Sequence, residues 1–578
     1  MSRVSVWWGA VLRRLIFDAV FSRVWLPATG RWPWGPFARG GSGSGLMTGH
    51  DRGTSWWSDA VVYQLYVRSW HDSDGDGYGD LPGVVDKLDY LSWLGVDAIW
   101  LSPTMPSPDH DWGYDVSDYV SVHPELGSLE DMDRLVAEAG RRQMRILLDL
   151  VPNHTSDQHP WFVEARSSRG ATHRNWYVWA EPSPDKAPPN NWLDASGESA
   201  WTLDAETGQY YLHNFLPSQP DLNWWDPPVH DAFEEILRFW FDRGIAGFRI
   251  DVAHGLYKDA ALRDNPPMPE GQLIGGTGGQ EQRFSANRPE THAVFRNWRR
   301  IAEQYEPPRL LLGETCVPDA EKLARYYGQD DELQLGFNFP FMVSAYTALE
   351  LSNVVRETLG RLPVGAIPVW TMSNHDKSRF TTRWCSNDDV RAALALTILL
   401  TLPGTIVIYY GDEIGMTDVD VPLELQRDNM FLGGRGGHPS RDRARTPMQW
   451  EPSVTGGFTT AGTTPWLPLG DVSSHNVADQ REDPRSLLSL CRQLVSVRRR
   501  HIKGCGGSYE QLAAAEHQWV YRSGDVVVAA NFAGEPAEVP GLTGPVLFSS
   551  LKARLPEKPF GEPLRLAGFE AVVVQLWP

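Results

Sequence analysis

Cysteine is scarce: the chain has four in 578 residues. Cys316, Cys385, Cys491 and Cys505 stand far apart, without the spacing of a disulfide framework or a zinc site. A disulfide-stapled scaffold is excluded, and a reduced, cytoplasmic setting is expected. Long apolar runs are also missing. The most apolar early segment, Ser5 to Leu26, is interrupted by Arg13, Arg14, Asp18 and Arg23. It falls short of the roughly 20 apolar residues of a membrane helix. The same charges, with no small-residue cleavage site after them, argue against a signal peptide. Positive charge is in deficit, with 53 Lys and Arg against 73 Asp and Glu. A net charge of −20 argues against nucleic acid and anionic membrane surfaces as partners.

What is present describes a large soluble globular chain, 42% hydrophobic and long enough for two or three structural units. Twenty-six Trp residues lean toward sugar binding, since aromatic faces stack on sugar rings, although Trp is equally a core residue. Residues 1–54 read as a disordered N-terminal extension, with a Gly/Ser linker at Ala38 to Leu46 and Met47 as an alternative start. From Asp59 onward, short apolar runs alternate with amphipathic helical patterns. Val61–Val67, Asp97–Leu101, Arg145–Val151, Ala246–Asp251, Arg309–Gly313, Ile367–Met372 and Thr405–Tyr410 read as buried strands, with Leu333–Phe339 as the eighth. Gly83–Leu94, Leu129–Arg142, Val229–Asp242, Glu290–Tyr305 and Pro484–His501 read as helices. This α/β alternation predicts a (β/α)8 barrel, whose chemistry belongs where strands meet their following loops.

Two segments break the alternation. Residues 155–214 are rich in Trp, Pro, Asn, Ser and Gly and predict a domain inserted after strand 3. Residues 504–578 read as short strands between Gly and Pro turns, a C-terminal antiparallel β-domain. The barrel itself then occupies residues 55–154 and 215–503.

Gly247-Phe248-Arg249-Ile250-Asp251 carries the sharpest local chemistry. Alternation along a strand points Arg249 and Asp251 the same way. A guanidinium beside a carboxylate favours its ionised form, which a nucleophilic carboxylate needs. Taken alone, this is a structural ion pair. Three further strand ends change that reading: Asp149-Leu-Val-Pro-Asn-His154, Leu312-Gly-Glu314-Thr315 and Ser373-Asn-His375-Asp376. Carboxylates gathered at one barrel mouth disturb one another's pKa values, so that one stays ionised while another holds a proton. Glycoside hydrolysis requires that division of labour. Separately, Asp72, Asp74, Asp76 and Asp80 alternate through a Gly-rich loop that ends Tyr78-Gly-Asp80. Hard oxygens at that density suit a structural Ca²⁺, or Mg²⁺.

The four strand-end blocks resemble those of the α-amylase superfamily, glycoside hydrolase family 13. Asp111-Trp-Gly-Tyr114-Asp, Gln219-Pro-Asp-Leu-Asn223 and Arg445-Thr-Pro-Met-Gln-Trp450 extend the resemblance from about Trp56 to the end. The Gln219 block is similar to the oligo-1,6-glucosidase and α-glucosidase branch. The resemblance implies Asp251 as nucleophile, Glu314 as general acid/base and Asp376 as transition-state stabiliser. It implies Asp111, Tyr114, His154, Arg249 and His375 as the lining of a glucose pocket, with Arg441 chosen from Arg441, Arg443 and Arg445. It also implies metal ligation by Asp72, Asp74, Asp76, Asp80 and the backbone of Tyr78, and no organic cofactor.

The implied activity is a retaining, exo-acting α-glucosidase on short oligosaccharides. Val252 after the nucleophile resembles α-1,6-preferring enzymes, while Ala253-His254 departs from their Ile-Asn, so the α-1,4 versus α-1,6 preference stays open. A glucosyl-transferring or isomerising relative, similar to isomaltulose or trehalose synthases, is the alternative. A non-catalytic amylase-like binding subunit is a third. Oligomeric state is not legible.

Overall fold

The computed structural model describes residues 55–272, 274–502, 508–542, 544–551 and 563–575. The extension expected at residues 1–54 lies outside them. Eight parallel strands follow one another: β1 (Val61–Leu65), β2 (Ala98–Leu101), β3 (Arg145–Leu150), β4 (Gly247–Ile250), β5 (Leu310–Gly313), β6 (Leu335–Gly336), β7 (Val369–Thr371) and β8 (Thr405–Tyr409). They lie in the order β6-β5-β4-β3-β2-β1-β8-β7, and a parallel bridge from Phe337 to Val369 closes the ring.

Period-2 alternation divides each strand between two cores. Val62, Ala98, Leu147, Leu310, Leu312, Val369 and Val407 cluster inside the barrel. Val61, Tyr63, Ile99, Ile146, Leu148, Phe248, Ile250 and Ile406 join the larger core against the helices. Continuing two residues along the inner face brings buried Gln64, Trp100, Asp149 and Arg249 to the C-terminal end. The barrel interior thus turns from apolar to polar where the loops begin.

Two sequence expectations need correction. Gly83–Leu94 is two helices, Leu81–Asp86 and Leu88–Leu94, parted at Lys87 where φ/ψ is −105°/8°. The first starts earlier than its periodicity suggests because Asp80 caps it by accepting from Gly83 N. The eighth strand read at Leu333–Phe339 is only Leu335–Gly336. Asn338 ends it by capping the helix Phe339–Val343 with its side chain.

After β3 comes a short helix, Pro160–Ser167, and a three-stranded antiparallel sheet with Gln209–Leu212 between Trp179–Ala180 and Trp201–Asp204. The C-terminal region is antiparallel, a five-stranded sheet beside a two-stranded one. It includes Tyr509–Ala514, Ala537–Val539 and Leu564–Leu566. Among the described residues, no helix is long and apolar enough to cross a membrane.

Candidate active site

Arg249 organises the mouth. Its Nη1 donates to Asp149 Oδ1 at 2.8 Å and to Asp251 Oδ1 at 2.7 Å, and its Nη2 pairs with Glu314 Oε1 at 2.8 Å. Three carboxylates thus surround one guanidinium, and all four side chains are largely buried. Burial pushes Asp251 well above the usual carboxylate range; Arg249 opposes that push, and Glu314 and Asp149 add to it. Asp149 rises to about 7, first through burial, with Arg249 again opposing and Glu314 adding. One cation cannot compensate three buried anions, so the cluster keeps a proton.

The backbone wraps Glu314 as tightly as the side chains do. Val252 N donates to Glu314 Oε2 at 3.0 Å, Ala253 N donates to its carbonyl at 3.1 Å, and His254 Nδ1 lies 3.3 Å from the same carbonyl. The turn requires φ of 42° at Val252, a left-handed conformation costly for a β-branched residue. Gly255 permits it, because a Cβ there would press on Val252 and Asn153.

Asp376 has the opposite environment. Burial alone would raise its pKa, but the surrounding positive groups hold it far below the usual range. Arg441 Nη1 lies 3.2 Å and Arg445 Nη2 3.1 Å from its Oδ1. Two guanidinium groups on one carboxylate leave it ionised. Burial drives His375 well below its ordinary pKa, with Arg445, Arg249 and Arg441 adding to the effect, so its ring is neutral. Gln64 Nε2 lies 2.7 Å from His375 Nδ1, which accepts. His375 Nε2–H then donates to the Tyr114 hydroxyl at 2.6 Å, and that hydroxyl donates to Asp149 Oδ2 at 3.0 Å. Tyr114 stacks on His375 with ring planes 7° apart.

The remaining sequence-chosen residues meet at the same place. Arg441 Nη2 reaches Asp111 Oδ1 at 2.6 Å, and Gln219 Nε2 donates to Asp111 Oδ2 at 3.1 Å. His154, buried and shifted below its ordinary pKa by burial, donates from Nε2 to the Tyr114 carbonyl at 3.1 Å. Of the three candidate arginines, Arg443 points elsewhere, to Asp418. Arg445, passed over in favour of Arg441, also holds Asp376. Asp149, Gln64, Gln219 and Asp428 were missed as site residues, although Asp149 and Gln219 stand inside the recognised blocks. Asp428 binds Arg441 at 2.7 Å and steadies it; no local pattern marks it.

The acidic loop gathers Asp72, Asp74 and Asp80, with one oxygen of each lying within 4.8 Å of the others. No salt bridge reaches these three among the described residues. Asp72 accepts from Gly75 N at 2.6 Å and Gly77 N at 2.8 Å. Three hard oxygens with only backbone and hydroxyl donors around them fit a hard cation. Asp76 stands outside that group, and its carboxylate accepts from Tyr78 N at 2.8 Å. A second cluster, Asp109, His123 and Glu125, encloses Arg68, which pairs with Asp109 and Glu125, so a cation is already there.

A closed (β/α)8 barrel with paired and arginine-held carboxylates at its C-terminal mouth defines a glycoside hydrolase. The chain matches the family model of the alpha-amylase catalytic domain over residues 64–504, and it belongs to that family. It is 41% identical to a probable alpha-glucosidase of Rhizobium meliloti over 462 residues, covering 77% of this chain and 82% of the relative. It is 38% identical to an oligo-1,6-glucosidase of Heyndrickxia coagulans over 523 residues, covering 83% and 92%. The solved α-glucosyl transfer enzyme XgtA superposes with a TM-score of 0.84 at 36% identity, covering 90% of this chain and all of that one.

Proposed function

We propose that the chain is a retaining, exo-acting α-glucosidase that hydrolyses terminal α-glucosidic bonds of short oligosaccharides. The observation that carries this reading is Arg249 gripping Asp251 and Glu314 together while Asp376 is held apart by two other arginines. The carboxylates gathered on Arg249 then keep a proton among them, and Asp376 stays charged. With the proton on Glu314, that residue donates to the glycosidic oxygen while Asp251 attacks the anomeric carbon. Asp376 binds sugar hydroxyls and stabilises the oxocarbenium-like transition state. The leaving sugar departs, and a β-glucosyl ester remains on Asp251. Glu314, now ionised, takes a proton from water, which displaces Asp251 and releases α-glucose.

Exo action is supported by the ion pair from Arg441 to Asp111, which ties the loop after β8 to the loop after β2. Gln219, five residues past the inserted segment, joins the same knot. Tyr114, His154 and His375 stand beside this knot, and loops tied together there favour one terminal glucose over an internal chain segment. The relatives' names, an alpha-glucosidase and an oligo-1,6-glucosidase, support the same substrate class.

A Ca²⁺ held by Asp72, Asp74 and Asp80 would brace the loop after β1 without touching the chemistry. Cys316, Cys385 and Cys491 are free thiols, which supports a cytoplasmic setting. Likeness to an α-glucosyl transfer enzyme favours glucosyl transfer as a second reading. A panel of p-nitrophenyl α-glucoside, maltose, isomaltose, sucrose, trehalose and starch, with products identified, tests both. Glucose from the small substrates and none from the interior of starch is expected. Endo-cleavage of starch would overturn the proposal, and new disaccharides from sucrose or maltose would establish transfer.

A further inference from the structure

Asp376 and the two arginines that hold it come from different loops, so their spacing depends on what joins those loops. Asp376 stands in the loop after β7. Arg441 opens a single turn, Arg441–Ala444, and Arg445 follows it. Their contacts to Asp376 Oδ1, 3.2 and 3.1 Å, are longer than the roughly 2.7–2.9 Å of a relaxed charge-assisted hydrogen bond. The backbones of the two loops therefore set the gap. The chain reaches the turn through an exposed stretch with left-handed backbone at Gly433, Gly434, Gly436 and Gly437, which lends the turn little support.

Asp418 closes that excursion at its base. Its side chain is 1% exposed. On one side, its Oδ1 accepts from Arg379 N at 2.8 Å and its Oδ2 from Ser378 Oγ at 2.6 Å, both just past Asp376. On the other, the same Oδ2 lies 2.7 Å from Nε of Arg443, which stands between Arg441 and Arg445. The backbone repeats the join. Asp418 N donates to Thr382 Oγ1 at 2.9 Å, and Val419 N donates to the Arg443 carbonyl at 3.0 Å. Arg443 thus turns away from the sugar pocket to meet a buried carboxylate that also grips the loop of Asp376.

We propose, on the reading of Asp376 as the transition-state stabiliser, that Asp418 and Arg443 are positioning residues for it. Their ion pair fixes the turn of Arg441 and Arg445 against the loop of Asp376. Neither residue touches the sugar. The expected weight is kinetic, because a reacting constellation must stay within roughly 0.5 Å of its productive geometry and a 1 Å displacement costs about 10²-fold in rate. Arg443 is 37% exposed, and a partly exposed ion pair adds little to fold stability.

Arg443→Met and Arg443→Lys, with Asp418→Asn as the partner variant, test this in the full chain. Kinetics are measured on whichever glucoside of the panel the wild type turns over fastest. The products report on exo-hydrolysis, and the ratio of variant to wild-type kcat reports on the clasp, since hydrolysis and transfer both use Asp376. Arg443→Met is expected to lower kcat about tenfold with KM within about twofold, the signature of an interaction felt in the transition state. Arg443→Lys restores the charge and should recover most of that loss, with both melting temperatures close to wild type. Combining Arg443→Met with Asp418→Asn should cost no more than Asp418→Asn alone, because both act through one contact. If Asp418→Asn does not fold, the two Arg443 variants decide. An unchanged kcat in Arg443→Met overturns the proposal, as does equal impairment of the Met and Lys variants, or effects of Arg443→Met and Asp418→Asn that multiply.

Discussion

The barrel mouth and the acidic loop after β1 both gather carboxylates, yet they satisfy them in opposite ways. At the mouth, Asp149, Asp251 and Glu314 close on the guanidinium of Arg249, and Asp376 closes on Arg441 and Arg445. In the loop, Asp72 and Asp80 are met by the backbone N–H groups of Gly75, Gly77, Gly83 and Ser73 and by hydroxyls. Fixed arginines split the mouth's carboxylates into an ionised one, Asp376, and a group of three around Arg249 that keeps a proton, which serves acid–base chemistry. Neutral donors leave the loop's oxygens equivalent and still in need of positive charge, which suits a cation. Carboxylate density alone does not separate a reactive site from a structural one; the identity of the counter-groups does.

The largest effect should come from the reactive pair. Asp251→Asn is expected to lower kcat on p-nitrophenyl α-glucoside by about 10⁴-fold with the melting temperature nearly unchanged. Turnover near that of the wild type would erase the distinction drawn above. Arg249→Met should cost about 3–5 kcal/mol of stability by denaturant unfolding, because it strands buried carboxylates without their cation. An equal charge removal in the loop should have no comparable effect.

The pH dependence sharpens the comparison further. Asp149 titrates near 7 in the folded state against 3.8 in the unfolded chain. Its contribution to stability is therefore complete below about pH 4 and is lost as pH rises through 7. Relative to wild type, Asp149→Asn should gain several degrees of melting temperature, roughly 5 °C, between pH 4.5 and 7.5. A gap that is constant with pH would contradict the shared-proton account.

Chelation acts on the other region. With the proposed Ca²⁺ in the loop, EDTA should lower the melting temperature by about 5 °C, the effect of losing a ligand held at 100 times its Kd. The initial rate at 25 °C should hardly change. Smallest of all, Asp80→Asn should abolish that EDTA sensitivity while keeping the helix cap. Asp80→Ala should cost about 1 kcal/mol more, because the cap to Gly83 N goes as well.

Much of the barrel was legible because its strands are buried on both faces and read as apolar runs. Asp251 and Glu314 stood out because the one ends an apolar run and the other follows one directly, and Asp376 because its block comes just after another; their catalytic roles came from the resemblance. Strand alternation alone placed Arg249 beside Asp251. What stayed hidden depends on contacts between distant segments: Arg441 with Asp111, 330 residues apart, and Gln64 with His375, 311 apart. Their geometry comes from ring closure, which periodicity does not report. The split at Lys87 and the brevity of β6 were hidden for a different reason. Asp80 and Asn338 act as helix caps there, and a short polar side chain at a segment end reads equally as loop.

The central claim is that Asp251 forms the bond to the sugar. Reaction with 5-fluoro-α-glucosyl fluoride, which slows release of the covalent intermediate, followed by peptide mass spectrometry, tests it directly. The account predicts one glucosyl label on the peptide carrying Asp251, in an ester that turns over slowly. A label on Glu314 or Asp376 instead, or rapid hydrolysis to β-glucose with no label, would contradict it.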